Sequence, residues 1–150
     1  MEGFVPLLSL GSRVAPKLAG IYVVLRESSA APVFEERSLA GLFKGVDSTV
    51  DRSLLQASWV DESEVLYIGK ASWGSKRNGI RRRLSQYRRH GSGKAVGHRG
   101  GEFIWQLADS ADLLVCWIAV DDSALAQTEA DFIASFKAAH GRWPFANRKG

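Results

Sequence analysis

The eight residues Leu113-Leu-Val-Cys-Trp-Ile-Ala-Val120 constrain this chain most. A half-exposed strand alternates polar and apolar residues, so a near-continuous apolar run of this length reads as a central strand. The run is far too short to cross a bilayer, which takes roughly 20 apolar residues. Two further β-rich stretches, Ile21 to Arg26 and Glu64 to Gly69, read as strands beside it. Helical spacing appears twice. Ile80, Leu84 and Tyr87 recur at i, i+4 and i+7 in a helix from about Gly79 to His90. Leu125 to Ala139 forms a second helix, opened by Asp121-Asp122-Ser123 and stopped by Gly141.

At 150 residues the chain is too short for two ordinary domains, and no linker divides it. It reads as a single domain over residues 1–150. The first twenty residues, broken by Gly11, Pro16 and Gly20, read as an N-terminal cover. Residues 28–62 lack a clean period and read as an insertion, with one or two short helices between Ser38 and Leu55. The lone Cys116 excludes an internal disulfide and a multi-cysteine zinc site. No basic n-region precedes the first apolar residues, so the expectation is a cytoplasmic protein without a membrane segment.

The formal charge is only +4, but it is unevenly distributed. Ten of the 20 Lys and Arg residues fall between Lys70 and Gly101: Lys70, Lys76, Arg77, Arg81, Arg82, Arg83, Arg88, Arg89, Lys94 and Arg99. That stretch holds no Asp or Glu. Such a concentration of cations suits a polyanion, and nucleic acid is the expected partner; the plain alternative is a solvated basic helix.

Two residues stand out against their helices. Arg83 flanks the Ile80/Leu84/Tyr87 stripe, with His90 two turns on, and is the arginine best placed to bend toward the sheet. The plain alternative is a snorkelling stem covering core. Glu129 lies within the apolar face made by Leu125, Phe132, Ile133 and Phe136. A carboxylate there must be paired, hydrogen-bonded or metal-bound. It is either half of a structural Glu–Arg pair or a ligand for a hard divalent cation.

Gly20-Ile21-Tyr22 opens one strand and Tyr67-Ile68-Gly69 closes another. An arginine on the following helix, within Ile80-Arg-Arg-Arg-Leu-Ser-Gln-Tyr87, a glutamate on a later helix and Asn147 beyond it complete an ordered set. This set resembles the GIY-YIG nuclease superfamily over roughly residues 20–147. The helix segment resembles that of excision-repair incision proteins, whose arginine before the leucine matches Arg83. Residues 23–66 separate the tripeptides by more than in compact members, resembling the restriction-enzyme branch. The resemblance implies an α/β domain of α+β type, with a small three-stranded antiparallel sheet flanked by helices. It also implies a metal-dependent endonuclease acting on DNA.

Phosphodiester hydrolysis needs an activated water, charge neutralisation at phosphorus and help for the leaving oxygen. By resemblance, Glu129 would hold one Mg²⁺ or Mn²⁺ per active site, Arg83 would grip the phosphate and Tyr22 would activate the water. Tyr67 would position Tyr22 or the phosphate. A free phenol titrates near pH ~10, so a cation must lower Tyr22, and Lys70 is the candidate. His90 is a competing base, with a suitable intrinsic pKa.

Gly20, Gly69 and Asn147 would support the site, and even within the family reading Asn147 is partly structural. His98, Arg99 and Trp73 either contact nucleic acid or are plain loop surface. Lys76, Arg77, Arg81, Arg82, Arg88, Arg89 and Lys94 would bind the nucleic-acid backbone. Whether the chain forms a homodimer to cut both strands of a duplex stays open. Two other readings stay open: a non-catalytic nucleic-acid-binding module of the same fold, and a protein-interaction domain docking through residues 28–62.

Overall fold

The computed structural model describes residues 1–8, 15–40, 42, 45–74, 76, 78–94 and 99–148, with only the backbone at 99 and 100. Four strands form one antiparallel sheet: β1 (Glu2–Pro6), β2 (Gly20–Leu25), β3 (Val65–Ala71) and β4 (Leu114–Ala119), in spatial order β1-β4-β2-β3. The helices are α1 (Arg52–Ser58), α2 (Gly79–Gly91), α3 (Arg99–Ile104) and α4 (Asp122–His140). The expected mixed α+β class is observed, but the sheet has four strands where three were expected. The extra strand is β1, which lies on the outer edge of β4. Gly3 and Pro6 make its sequence a poor strand former, so tertiary pairing overrides local preference there.

Alternation along β2 sorts the core into two layers. Tyr22 and Val24 face the larger layer, with Leu66, Ile80, Leu84, Tyr87, Trp105, Val115 and Trp117, where α2 packs. Ile21 and Val23 face the other, with Ile68, Cys116, Leu125 and Phe136, where α4 packs. The apolar run around β4 is central, as expected, with Val115 and Cys116 buried toward opposite faces.

Within the expected insertion, the described residues contain one helix, α1, capped by Asp51 through Ser53 N–H. Buried Gln106 ties the rest in place. Its Oε1 accepts from Val50 N–H at 2.8 Å, and its Nε2 donates to the carbonyls of Glu35 (2.9 Å) and Val50 (2.7 Å). Arg26 secures the start of the insertion. Its guanidinium pairs with Asp109 at 2.8 Å, donates to the carbonyls of Ser28 and Ala30, and lies 5.4 Å from the Trp59 ring centroid.

The edge of β3 away from β2 is closed by the tail after α4. Ala146 N–H donates to Leu66 C=O. The Asn147 side chain accepts from Ile68 N–H at 2.9 Å and donates to Ile68 C=O at 2.8 Å. One amide side chain thus supplies both halves of a missing strand partner, which protects an otherwise open edge.

Candidate active site

Near its C-terminal end β3 runs between α2 on one face of the sheet and α4 on the other, and a cleft of about 410 Å³ opens there. Tyr67, Lys70, Ser72, Lys76, Arg82, Arg83, Gln86 and Glu129 line it together with Ala71. Sequence separations of up to 62 residues are therefore closed by the sheet, which brings Tyr67, Arg83 and Glu129 to one place.

Tyr22 lies behind this lining. It pairs with Gly69 across the β2–β3 ladder and is fully buried. Its ring centroid is 5.8 Å from that of Tyr67 and 6.2 Å from that of Tyr87. A Cβ added at Gly69 would stand 2.6 Å from Tyr22 Oη and 2.6 Å from Tyr67 Cε1. Only glycine lets the two phenols converge over this strand. Gly20 is equally confined, since a Cβ there would meet the Ile118 carbonyl oxygen at 2.2 Å and Ile80 Cδ1 at 2.5 Å.

Arg83 joins the phenols to the cleft. It hydrogen-bonds to both Tyr22 and Tyr67 and also donates to Gln86 Oε1 at 3.4 Å. Burial dominates the electrostatics of the phenols. It pushes Tyr22 well above the ordinary tyrosine range, assisted by neighbouring Tyr67 and opposed by the Arg83 charge. Burial also raises Tyr67, but the hydrogen bond from Tyr22 and the Arg83 charge pull it back, while Glu129 pushes it up. Tyr22 is thus a neutral phenol at physiological pH, and Tyr67 is the partner that faces the cleft.

Lys70 is not placed where the sequence reading put it. Strand alternation sends Tyr67 and Gly69 to the Tyr22 side and Lys70 to the α4 side. There its Nζ meets Glu129 Oε1 at 3.1 Å, with the lysine side chain 46% and the glutamate side chain 22% exposed. The cation acting on Tyr22 is Arg83. The glutamate's ionic partner is accordingly a lysine, where an arginine had been the structural expectation. Glu129 is the one carboxylate among the described residues lining the cleft.

His90 requires a second correction. It shares a helix flank with Arg83, but seven residues at 1.5 Å each separate them by about 10 Å along α2. His90 is buried, with Nδ1 2.9 Å from the position of a Cβ on Gly101, and it does not line the cleft. Burial pushes its imidazole below the ordinary value, so it is neutral at pH 7.

The basic residues divide by role. Lys76, Arg82 and Arg83 form one wall of the cleft. Arg81 instead turns back to the N-terminal segment, donating from Nε to the Ala15 carbonyl at 2.7 Å. Arg89 and Lys94 are exposed beyond the cleft, and Arg88 is half-buried near the end of α2. Arg77, His98 and the side chain of Arg99 lie outside the described residues. Asn147 acts through the Ile68 backbone, holding the strand that carries Tyr67.

Two contributors were not singled out from sequence. Tyr87 was read only as part of the helical stripe, yet it completes the phenol cluster 5.8 Å from Tyr67. Asp122 was read as a helix-start signal. Its carboxylate also accepts from Trp73 N–H and Gly74 N–H, each at 3.0 Å, and so fastens the loop after β3. Helical period gives no sign of the first role, and only the fold shows the second.

No family model, curated protein or solved structure matches this chain.

Proposed function

We propose that the chain is a metal-dependent endonuclease that hydrolyses phosphodiester bonds in DNA. The observation supporting this reading is the convergence of a guanidinium, a carboxylate and the Tyr67 phenol, backed by buried Tyr22, on one cation-walled cleft. A phosphate bound there would meet the planar, permanently charged fork of Arg83, with Lys76 and Arg82 along the same wall. Tyr22, expected to activate the water, is buried and neutral and cannot take its proton. Tyr67 would instead position the water at the cleft, with Tyr22 donating to the Tyr67 hydroxyl. The proton would pass to solvent, the water being acidified by a bound divalent cation.

A single carboxylate suits Mg²⁺ or Mn²⁺, which are commonly held by one or two protein carboxylates and completed by water and substrate phosphates. Glu129 would hold that ion, and Lys70 would give up its contact with Oε1 to do so. When bound, the cation would polarise a non-bridging oxygen and stabilise the leaving 3′-oxygen.

The test is incubation with plasmid and single-stranded DNA, in Mg²⁺ and in EDTA. Cleavage is expected only with Mg²⁺, and Glu129→Gln and Arg83→Ala should each lower it by at least about 100-fold while leaving the fold intact. Wild-type rates in Glu129→Gln would refute the metal assignment. A nicked product would indicate one site per binding event, and a linear product a dimer. The second reading is a non-catalytic nucleic-acid-binding module, favoured by the Lys70–Glu129 pair, which satisfies the carboxylate without a metal. It requires DNA binding with no metal-stimulated cleavage.

A further inference from the structure

Trp73 sits one residue beyond Ser72 of the cleft lining and is 47% exposed. Large indoles are normally buried for most of their surface, and this one lies on a loop whose backbone is held from several sides. Asp122 at the start of α4 accepts from Trp73 N–H and Gly74 N–H. The Trp73 carbonyl accepts from Asn78 N–H at 3.2 Å and the Ser72 carbonyl from Gly79 N–H at 2.8 Å. From α2, Arg82 donates to the Lys76 carbonyl at 2.6 Å. Lys76 and Asn78 adopt left-handed φ values of 64° and 54°, a conformation that such a bond network can hold in place.

The backbone at Trp73, Gly74 and Asn78 is therefore held in place, and the exposed indole follows directly in sequence on Ser72 of the cleft, three residues before Lys76 of its cationic wall. An apolar peptide docking there would leave those charges to be desolvated without partners. A nucleotide answers both features, with phosphate for the cations and a π face for the indole. We infer that Trp73 stacks on an unpaired nucleobase next to the phosphate bound in the cleft, making the protein selective for single-stranded or locally unstacked nucleic acid. Bases in an intact duplex are already stacked and present no free face. This rests on the nuclease reading for its phosphate position and adds the substrate class.

The experiment measures binding of labelled oligothymidylate, and of a blunt duplex of equal length, by fluorescence anisotropy at fixed salt in EDTA. Trp73→Ala should weaken oligothymidylate binding about tenfold and duplex binding less than about twofold, whereas Trp73→Phe stays within about threefold of wild type on both. Asp122→Ala, which keeps the indole but frees its loop, should weaken oligothymidylate binding by an intermediate amount. Equal losses on both ligands, or no loss with Trp73→Ala, would overturn the inference. A wild-type protein that binds neither ligand overturns this inference and the nuclease reading together. One that shows the stated selectivity but never cleaves with Mg²⁺ overturns the hydrolytic reading alone.

Discussion

Tyr22, Tyr67 and Tyr87 are the only tyrosines in the chain, and all three belong to one cluster around Arg83. A tyrosinate titration of the native protein consequently reads this site and nothing else. Free phenols ionise near pH ~10, and burial raises all three, Tyr22 and Tyr87 strongly. Because the folded values lie above the unfolded one, the unfolded state loses its protons first. The stabilising contribution is complete below pH ~10 and disappears as pH rises through the folded values. Native tyrosinate absorbance should stay flat up to pH ~10 and then rise together with loss of near-UV circular dichroism. A phenol ionising near neutral pH in the folded protein would contradict this and would indicate a standing phenolate. The sequence revealed Tyr22 and Tyr67 through their tripeptides, whereas Tyr87 sat at a position where an aromatic core residue and a site residue look identical.

Lys70 and His90 show why a correct secondary structure does not by itself assemble a site. The strand and the helix carrying them form where their residues indicate. Parity along β3 then directs Lys70 to Glu129, and axial rise along α2 carries His90 out of the cleft. Both consequences follow from regular geometry, but they bear on function only once α2 and α4 are known to flank the same edge strand. The pairing of the tail with β3 was less visible. Asn147 had been expected to be partly structural, but nothing in its neighbourhood identified Ile68 as the backbone it would satisfy, 79 residues away. Replacing it makes a test at this level. Asn147→Ala leaves Ile68 N–H and C=O without their side-chain partner, which should cost about 1–3 kcal/mol in chemical denaturation. It should also raise hydrogen exchange at Ile68 before exchange rises at Val23 on the inner strand. Exchange unchanged at Ile68 would show that the tail does not hold the strand in solution.

Across the whole molecule, the sheet carries chemistry from both of its faces to one edge: α2 brings Arg82 and Arg83, α4 brings Glu129, and β3 runs between them with Tyr67 and Lys70. The acid-free basic stretch suggested a polyanion-binding surface, but it did not separate the cations that face the cleft from those committed to the fold. Arg81 is tied to Ala15, so its charge is used in anchoring the segment ahead of β2. This division predicts how binding responds to salt. Each phosphate contact removed should flatten the slope of log affinity against log salt by about 0.7 to 0.9. Lys76→Ala and Arg82→Ala should each do so, and the double variant should approach the sum. Arg37→Ala, which removes an exposed charge in the insertion that pairs with Asp47, should leave the slope unchanged. Arg81→Ala should lower stability while changing the slope by less than either cleft variant. Anisotropy titrations at several salt concentrations read all five variants, and a slope that fell equally for Arg37→Ala and Arg82→Ala would mean that general net charge governs binding. A specific reduction at Lys76 and Arg82 would instead locate the phosphate path along the wall that leads to Arg83.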